Sequence, residues 1–210
     1  MDNKTSIAVF VSGGGTNLQA LLDAQQNGLL PYGDIELVIS NVRDAYALER
    51  AKMAGAKTAV VVKKELGSQK AFESRILDLL EAHDIDLIVL AGFLCILSED
   101  FTSRFPERII NVHPSLIPSF CGKGFYGLKV HEAALQRGVK VTGATVHFVN
   151  EIPDGGKIIL QKAVEVLPDD TPESLQLRVM QEAEWVLLPQ AVEMVSKKIY
   201  DEYYSGREEE

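Results

Sequence analysis

Residues 7–26 read IAVFVSGGGTNLQALLDAQQ, and this stretch decides the fold. The first five residues are all apolar, with no polar face. Such a strand needs a sheet covered on both sides to bury it. Three glycines follow, and then Leu18, Leu21 and Leu22 recur at helical spacing through residue 26. A buried strand, a glycine turn and an amphipathic helix form the first half of a βαβ unit.

The same alternation continues outward. Residues 35–39 (IELVI), 58–62 (TAVVV), 85–90 (IDLIVL) and 108–112 read as further strands. Helices are expected over 45–54 and 69–83. Apolar runs separated by helices of about ten residues predict a Rossmann-like, mostly parallel α/β sheet with helices on both faces. After residue 141 the pattern changes. VTGATVHFV (141–149) and KIILQKAVEV (157–166) are both strand-like and are joined by NEIPDGG, which predicts an appended antiparallel hairpin. A last helix is expected over 172–200, with Thr171 as N-cap, Pro172 in its first turn and a kink at Pro189. The 210 residues are expected to form one domain, 1–210, with an ordered core over about 6–200 and an acidic tail over 201–210.

Composition narrows the function. A net charge of −9 and a pI near 5.0 argue against nucleic acid as a partner, because phosphate neutralisation needs a basic face. No apolar window is long enough for a membrane span or a signal peptide, so a cytoplasmic location and no membrane partner are expected. Cys95 and Cys121 have neither CxxC nor zinc spacing, and no metal site is expected.

The loop SGGGTNLQ (12–19) brings backbone N–H groups and a helix N-terminus together, which suits an anion. A dinucleotide fingerprint would need glycine where Leu18 stands and an acidic end to the second strand, which closes Ile39-Ser40-Asn41 instead. No GK[ST] follows for a nucleoside triphosphate. No nucleotide cofactor is expected, and a phosphomonoester beside Gly15, Thr16 and Asn17 is.

The fifth strand ends Asn111-Val112-His113-Pro114. Residues i and i+2 of a strand face the same way, so Asn111 and His113 look into one space at the sheet's open end. Asparagine donates to a developing oxyanion, and histidine moves a proton near neutral pH. Asp154, in the Asp-Gly-Gly of the hairpin loop, is the expected third group, its charge raising the pKa of His113. His131 is expected on a loop or helix surface, and His147 within a strand near the site.

Taken in order, SGGGTNLQALLDA, LAGFLCIL, INVHPSLIPSF and TGATVHFVNEIPDGGKIILQ resemble the phosphoribosylglycinamide formyltransferase family along nearly the whole chain. The resemblance implies a formyltransferase-like fold. It also implies transfer of the formyl group of 10-formyltetrahydrofolate, a cosubstrate, to the amine of glycinamide ribonucleotide, in purine synthesis. Asn111 and His113 would stabilise a tetrahedral intermediate with Asp154 assisting, and Glu184 in QEAEW would contact the sugar or glycinamide. Gln69, Leu94, Cys95, Ile96, Leu97 and Asn111 would bind the folate, together with the loop 150–154. A formyltetrahydrofolate hydrolase, or a formyltransferase for another amine, is the alternative on the same site. Family members carrying a nucleic-acid-binding or regulatory domain would be longer, and the protein is expected to be a monomer or homodimer. Three features depart from the family pattern. Cys95 and Gln69 stand where arginines are expected. The segment 178–189 is one residue longer. The loop SFCGKGFYGLKVH (119–131) is also extended, and its Lys123 is a candidate cation for the phosphate or the folate tail.

Overall fold

A computed structural model describes residues 4–204. Seven strands form one sheet in the order β3-β2-β1-β4-β5-β6-β7. They are β1 (Thr5–Val11), β2 (Gly33–Ser40), β3 (Lys57–Val60), β4 (Leu87–Leu90), β5 (Ile109–His113), β6 (Val141–Phe148) and β7 (Ile158–Glu165). The first five are parallel; β6 runs antiparallel to both β5 and β7. The helices are α1 (Thr16–Gln26), α2 (Tyr46–Met53), α3 (Lys63–Leu66), α4 (Gln69–Ala82), α5 (Glu99–Thr102), α6 (Leu128–Arg137), α7 (Pro172–Val179) and α8 (Trp185–Tyr204). Between α7 and α8 lies one π-helical turn, Met180–Glu184.

Strand alternation sends successive side chains to two separate cores. Ile7, Val9 and Val11 join Ile110, Val112, Ala144 and Val146 beneath α1 and α8. Ala8, Phe10, Ile88, Leu90 and Ile109 face Phe72, Ile76 and Leu80 of α4 and Phe101 of α5. The expected two-sided burial of residues 7–11 is therefore met, with every one of them fully buried. β1 has β2 on one side and β4 on the other, so the chain reverses its winding there. A crevice opens outside the carboxyl ends of strands at such a switch point.

Several expectations need correction. β3 is an edge strand with Val60 exposed, and it ends two residues before 62. The final helix is not continuous: Thr171 caps it in a reciprocal box with Ser174, but the helix widens into the π turn before resuming at Trp185. A π turn absorbs one residue without breaking the helix, and it occurs within the segment 178–189, noted above as one residue longer than the family pattern. The helix also runs through residues 201–204 of the expected tail, whereas 205–210 lie outside the described residues. Helix α6, starting at Gly127 without a side-chain cap, has no counterpart in the sequence reading. Among the described residues, no helix is long and apolar enough to cross a membrane.

Candidate active site

On β5 the residues facing α4 are Ile109, Asn111 and His113. Helix cover ends after Ile109, and the next two positions open into a cleft of about 680 Å³. The β5–β6 register sets His147 opposite Asn111 and Thr145 opposite His113, on the same face. His147 Nδ1 donates to the Phe148 carbonyl at 2.7 Å, so its Nε2 accepts the Asn111 amide at 3.3 Å. That bond fixes the Asn111 amide and leaves its second N–H for the cleft. His147 is thus the orienting partner of Asn111, a role that only the cross-strand register reveals.

The loop after His113 is tied down from β6 and β7. Thr145 Oγ1 donates to the Ser115 carbonyl at 2.7 Å and accepts from Ile117 N–H at 3.1 Å, while Gln161 reaches the Ile117 carbonyl at 3.0 Å. The hairpin connection leaves β6 beside the start of β5, with Val149 N–H on the Ile109 carbonyl. Asp154 therefore reaches the other end of β5 only because the loop doubles back over the sheet face. Asp154 takes a left-handed φ of 56°, and a Cβ on Gly156 would lie 1.7 Å from the Phe148 carbonyl oxygen. Only glycine fits so close a return.

The Asp154 carboxylate faces His113 Nδ1 and His147 Nε2, each at 3.5 Å, and accepts Gly122 N–H at 2.7 Å. Burial alone would raise its pKa. The His147 ring when Nε2 carries a proton, the His113 charge and the Gly122 N–H together hold it below the ordinary carboxylate value. For His113 the balance is opposite and corrects the expectation. Burial pulls its pKa below the usual value, although Asp154 and the Phe120 carbonyl both act upward. His113 Nε2 donates to that carbonyl at 2.9 Å, which leaves Nδ1 as the basic nitrogen. Phe120 itself sits at φ 48°, an uncommon conformation for a residue with a Cβ.

Across the cleft, the glycine loop delivers one of its three candidates. Asn17 lines the cleft, and its amide donates to Glu184 Oε2 at 2.7 Å. Thr16 instead lines a separate groove between α1 and α8. Gly15 serves as the left-handed start of α1 (φ 73°), where a Cβ would lie 2.6 Å from that of Ala47. Glu184 is 6% exposed, and burial pushes its carboxyl up to about 7 despite the Asn17 bond. It is the last residue of the π turn.

The opposite wall is Leu94, Cys95 and Ile96, with Leu97 behind them in a recess shared with residues 149–154. Leu94 and Ile96 are large and exposed, at 65% and 66%, an apolar surface suited to a flat ligand. Cys95 Sγ accepts the Asn41 amide at 3.2 Å, and Ser12 Oγ bridges Asn41 and Leu94 N–H. Gln69 is not on this wall. Its amide donates to Glu73 and to the Ile96 carbonyl, and Glu73 in turn accepts Ser98 N–H and Oγ–H at 2.7 and 2.6 Å. Gln69 and the buried Glu73 therefore brace the segment from behind. Lys123 does line the cleft and is the one lysine or arginine among its lining residues. His131 lines it too, and is fully buried rather than on a surface.

Three comparisons bear on this arrangement. Residues 5–192 match the formyl transferase family. A phosphoribosylglycinamide formyltransferase of Haemophilus influenzae is 43% identical over 183 residues, 87% of this chain and 83% of that protein. A chloroplastic phosphoribosylglycinamide formyltransferase of Arabidopsis thaliana is 41% identical over 85% of this chain, which spans only 61% of that relative's length. Among solved structures, glycinamide ribonucleotide transformylase 1 from Symbiobacterium toebii superposes with a TM-score of 0.87 at 40% identity, covering 94% of this chain and 90% of that one. The sheet order and the match over residues 5–192 lead to one assignment: the chain belongs to the formyl transferase family.

Proposed function

We propose that the protein transfers the formyl group of 10-formyltetrahydrofolate to the amine of glycinamide ribonucleotide. The observation that carries this is the meeting of Asn111, His113 and Asp154 at one point, between an apolar wall and a polar wall. The exposed Leu94 and Ile96, backed by the recess at 149–154, suit the pterin. Asn17 and Glu184, beside the open Gly13 and Gly14, suit a phosphorylated sugar. Holding both substrates in contact removes much of the entropic barrier of a two-substrate reaction.

As the amine attacks the formyl carbon, the carbonyl oxygen becomes an oxyanion. The free N–H of Asn111 meets it, and a well-placed donor of this kind is worth roughly 3 kcal/mol. The amine must also lose a proton. His113, neutral near pH 7 because it is buried, takes that proton on Nδ1, directly or through water, and Asp154 meets the new positive charge. The imidazolium then adds to oxyanion stabilisation and returns a proton to the departing folate nitrogen. A depressed histidine pKa thus serves a base better than the raised pKa expected from the sequence.

Product analysis tests the proposal. Incubating the protein with both substrates should give N-formylglycinamide ribonucleotide by mass spectrometry, with no excess formate. Formate released without the ribonucleotide would instead establish the hydrolase. Formyl transfer to a different amine alone would move the specificity elsewhere.

A further inference from the structure

Among the described residues, six buried side-chain polar atoms have no hydrogen-bond partner. Three of them belong to residues lining the one cleft: Asn17 Oδ1 and both ring nitrogens of His131. The others are scattered over Thr142, Trp185 and Ser196. A buried donor or acceptor left unmade is costly, so three in one cavity mark a place where a ligand completes the bonding.

The position of His131 says which ligand. It lies in the first turn of α6, where side chains tilt towards the helix N-terminus, and Gly127 at that terminus also lines the cleft. The recess behind Leu97, which includes Asn111, His147 and 149–154, does not include His131. It also excludes Asn17, Gln176, Met180 and Glu184, which share the other part of the cleft with His131. His131 thus stands on the ribonucleotide side. It is also close enough to His113 for that ring's charge to act on it. Its place is therefore near His113, on the side where the reacting amine would sit.

We infer that His131 is a substrate-binding residue that hydrogen-bonds the carboxamide of the glycinamide group, next to the nucleophilic amine. Burial, with the His113 charge, drops its pKa to about 4, so the ring stays uncharged and presents one N–H and one lone pair. A carboxamide offers the matching C=O and N–H. A ring of such low basicity does not take the amine's proton; it orients the amine for attack. Asn17 Oδ1, whose amide is already engaged by Glu184, is left to accept from a sugar hydroxyl on the same ligand.

This inference rests on glycinamide ribonucleotide being the substrate. The test uses the full chain as wild type, His131→Phe and His131→Gln. Phenylalanine keeps the ring and loses both nitrogens, while glutamine keeps a donor and an acceptor. For His131→Phe, the KM for the ribonucleotide should rise at least tenfold, with the KM for the folate within twofold. The rise in Tm given by ribonucleotide alone should shrink in parallel. His131→Gln should recover most of both. An unchanged ribonucleotide KM and thermal shift in His131→Phe would overturn the inference. So would equal rises in both KM values with a lowered Tm of the free protein, which describe a structural residue. A wild type that neither turns over nor is stabilised by the ribonucleotide would remove the substrate reading, and this inference with it.

Discussion

Glu184 shows how much one side chain is asked to bear. Its carboxyl is pushed from 4.5 up to about 7, so between those values the folded chain keeps a proton that the unfolded chain has released. Stability therefore falls as pH rises through that window, and above it the penalty is on the order of 3 kcal/mol. Glu184→Gln keeps an acceptor for Asn17 without the charge. It should raise the free energy of unfolding by about 2–3 kcal/mol near pH 8 and change little near pH 4.5, in urea titrations at both pH values. His113 supplies a second pH signature. In an NMR titration its ring should have a midpoint below 6.5. Asp154→Asn, which removes an upward influence, should lower that midpoint further. His113 and Asp154 were legible because strand period and loop composition point to them, whereas Glu184 came only from the family resemblance. The protonation state of His113 was not, because it depends on burial by a loop that folds in from elsewhere in the chain.

At the scale of elements, the strands and long helices could be read within a few residues because their apolar periods are clear. Helix α6 could not. Its apolar anchors are sparse and it begins at Gly127 with no side-chain cap, immediately after a glycine-rich loop. The pairing of Asn111 with His147 also stayed hidden, since a register across 36 residues is fixed by the whole sheet. The brace from α4 to the apolar wall makes a direct prediction. Glu73→Ala leaves Ser98 N–H and Oγ–H without their acceptor and frees the segment 94–98. The folate KM should rise about tenfold, with the ribonucleotide KM nearly unchanged. Lys123, in the loop 119–127, is the matching case for charge. Lys123→Ala should weaken one anionic substrate by about tenfold, and unchanged KM values for both would remove it from the site.

The whole molecule carries a net charge of −9, while both proposed substrates are anions. Long-range attraction therefore does not draw them in; local donors hold them once they arrive. Added salt screens the repulsion, so kcat/KM for the ribonucleotide should rise by about twofold, rather than fall, between low and physiological ionic strength. The overall architecture was the most legible feature of the chain: a parallel sheet with an appended hairpin, glycine loop at one strand end and Asn-x-His at another. What the sequence left open was the path of residues 149–157 across the sheet face, which brings Asp154 to His113 and His147. The central claim is that this gathered site performs the transfer, and the most direct measurement is folate turnover with and without glycinamide ribonucleotide, on wild type and His113→Asn. The account predicts turnover that requires the ribonucleotide, and a kcat lowered by about 10²- to 10⁴-fold in the variant with both KM values close to wild type. A His113→Asn protein with an undiminished kcat would contradict it.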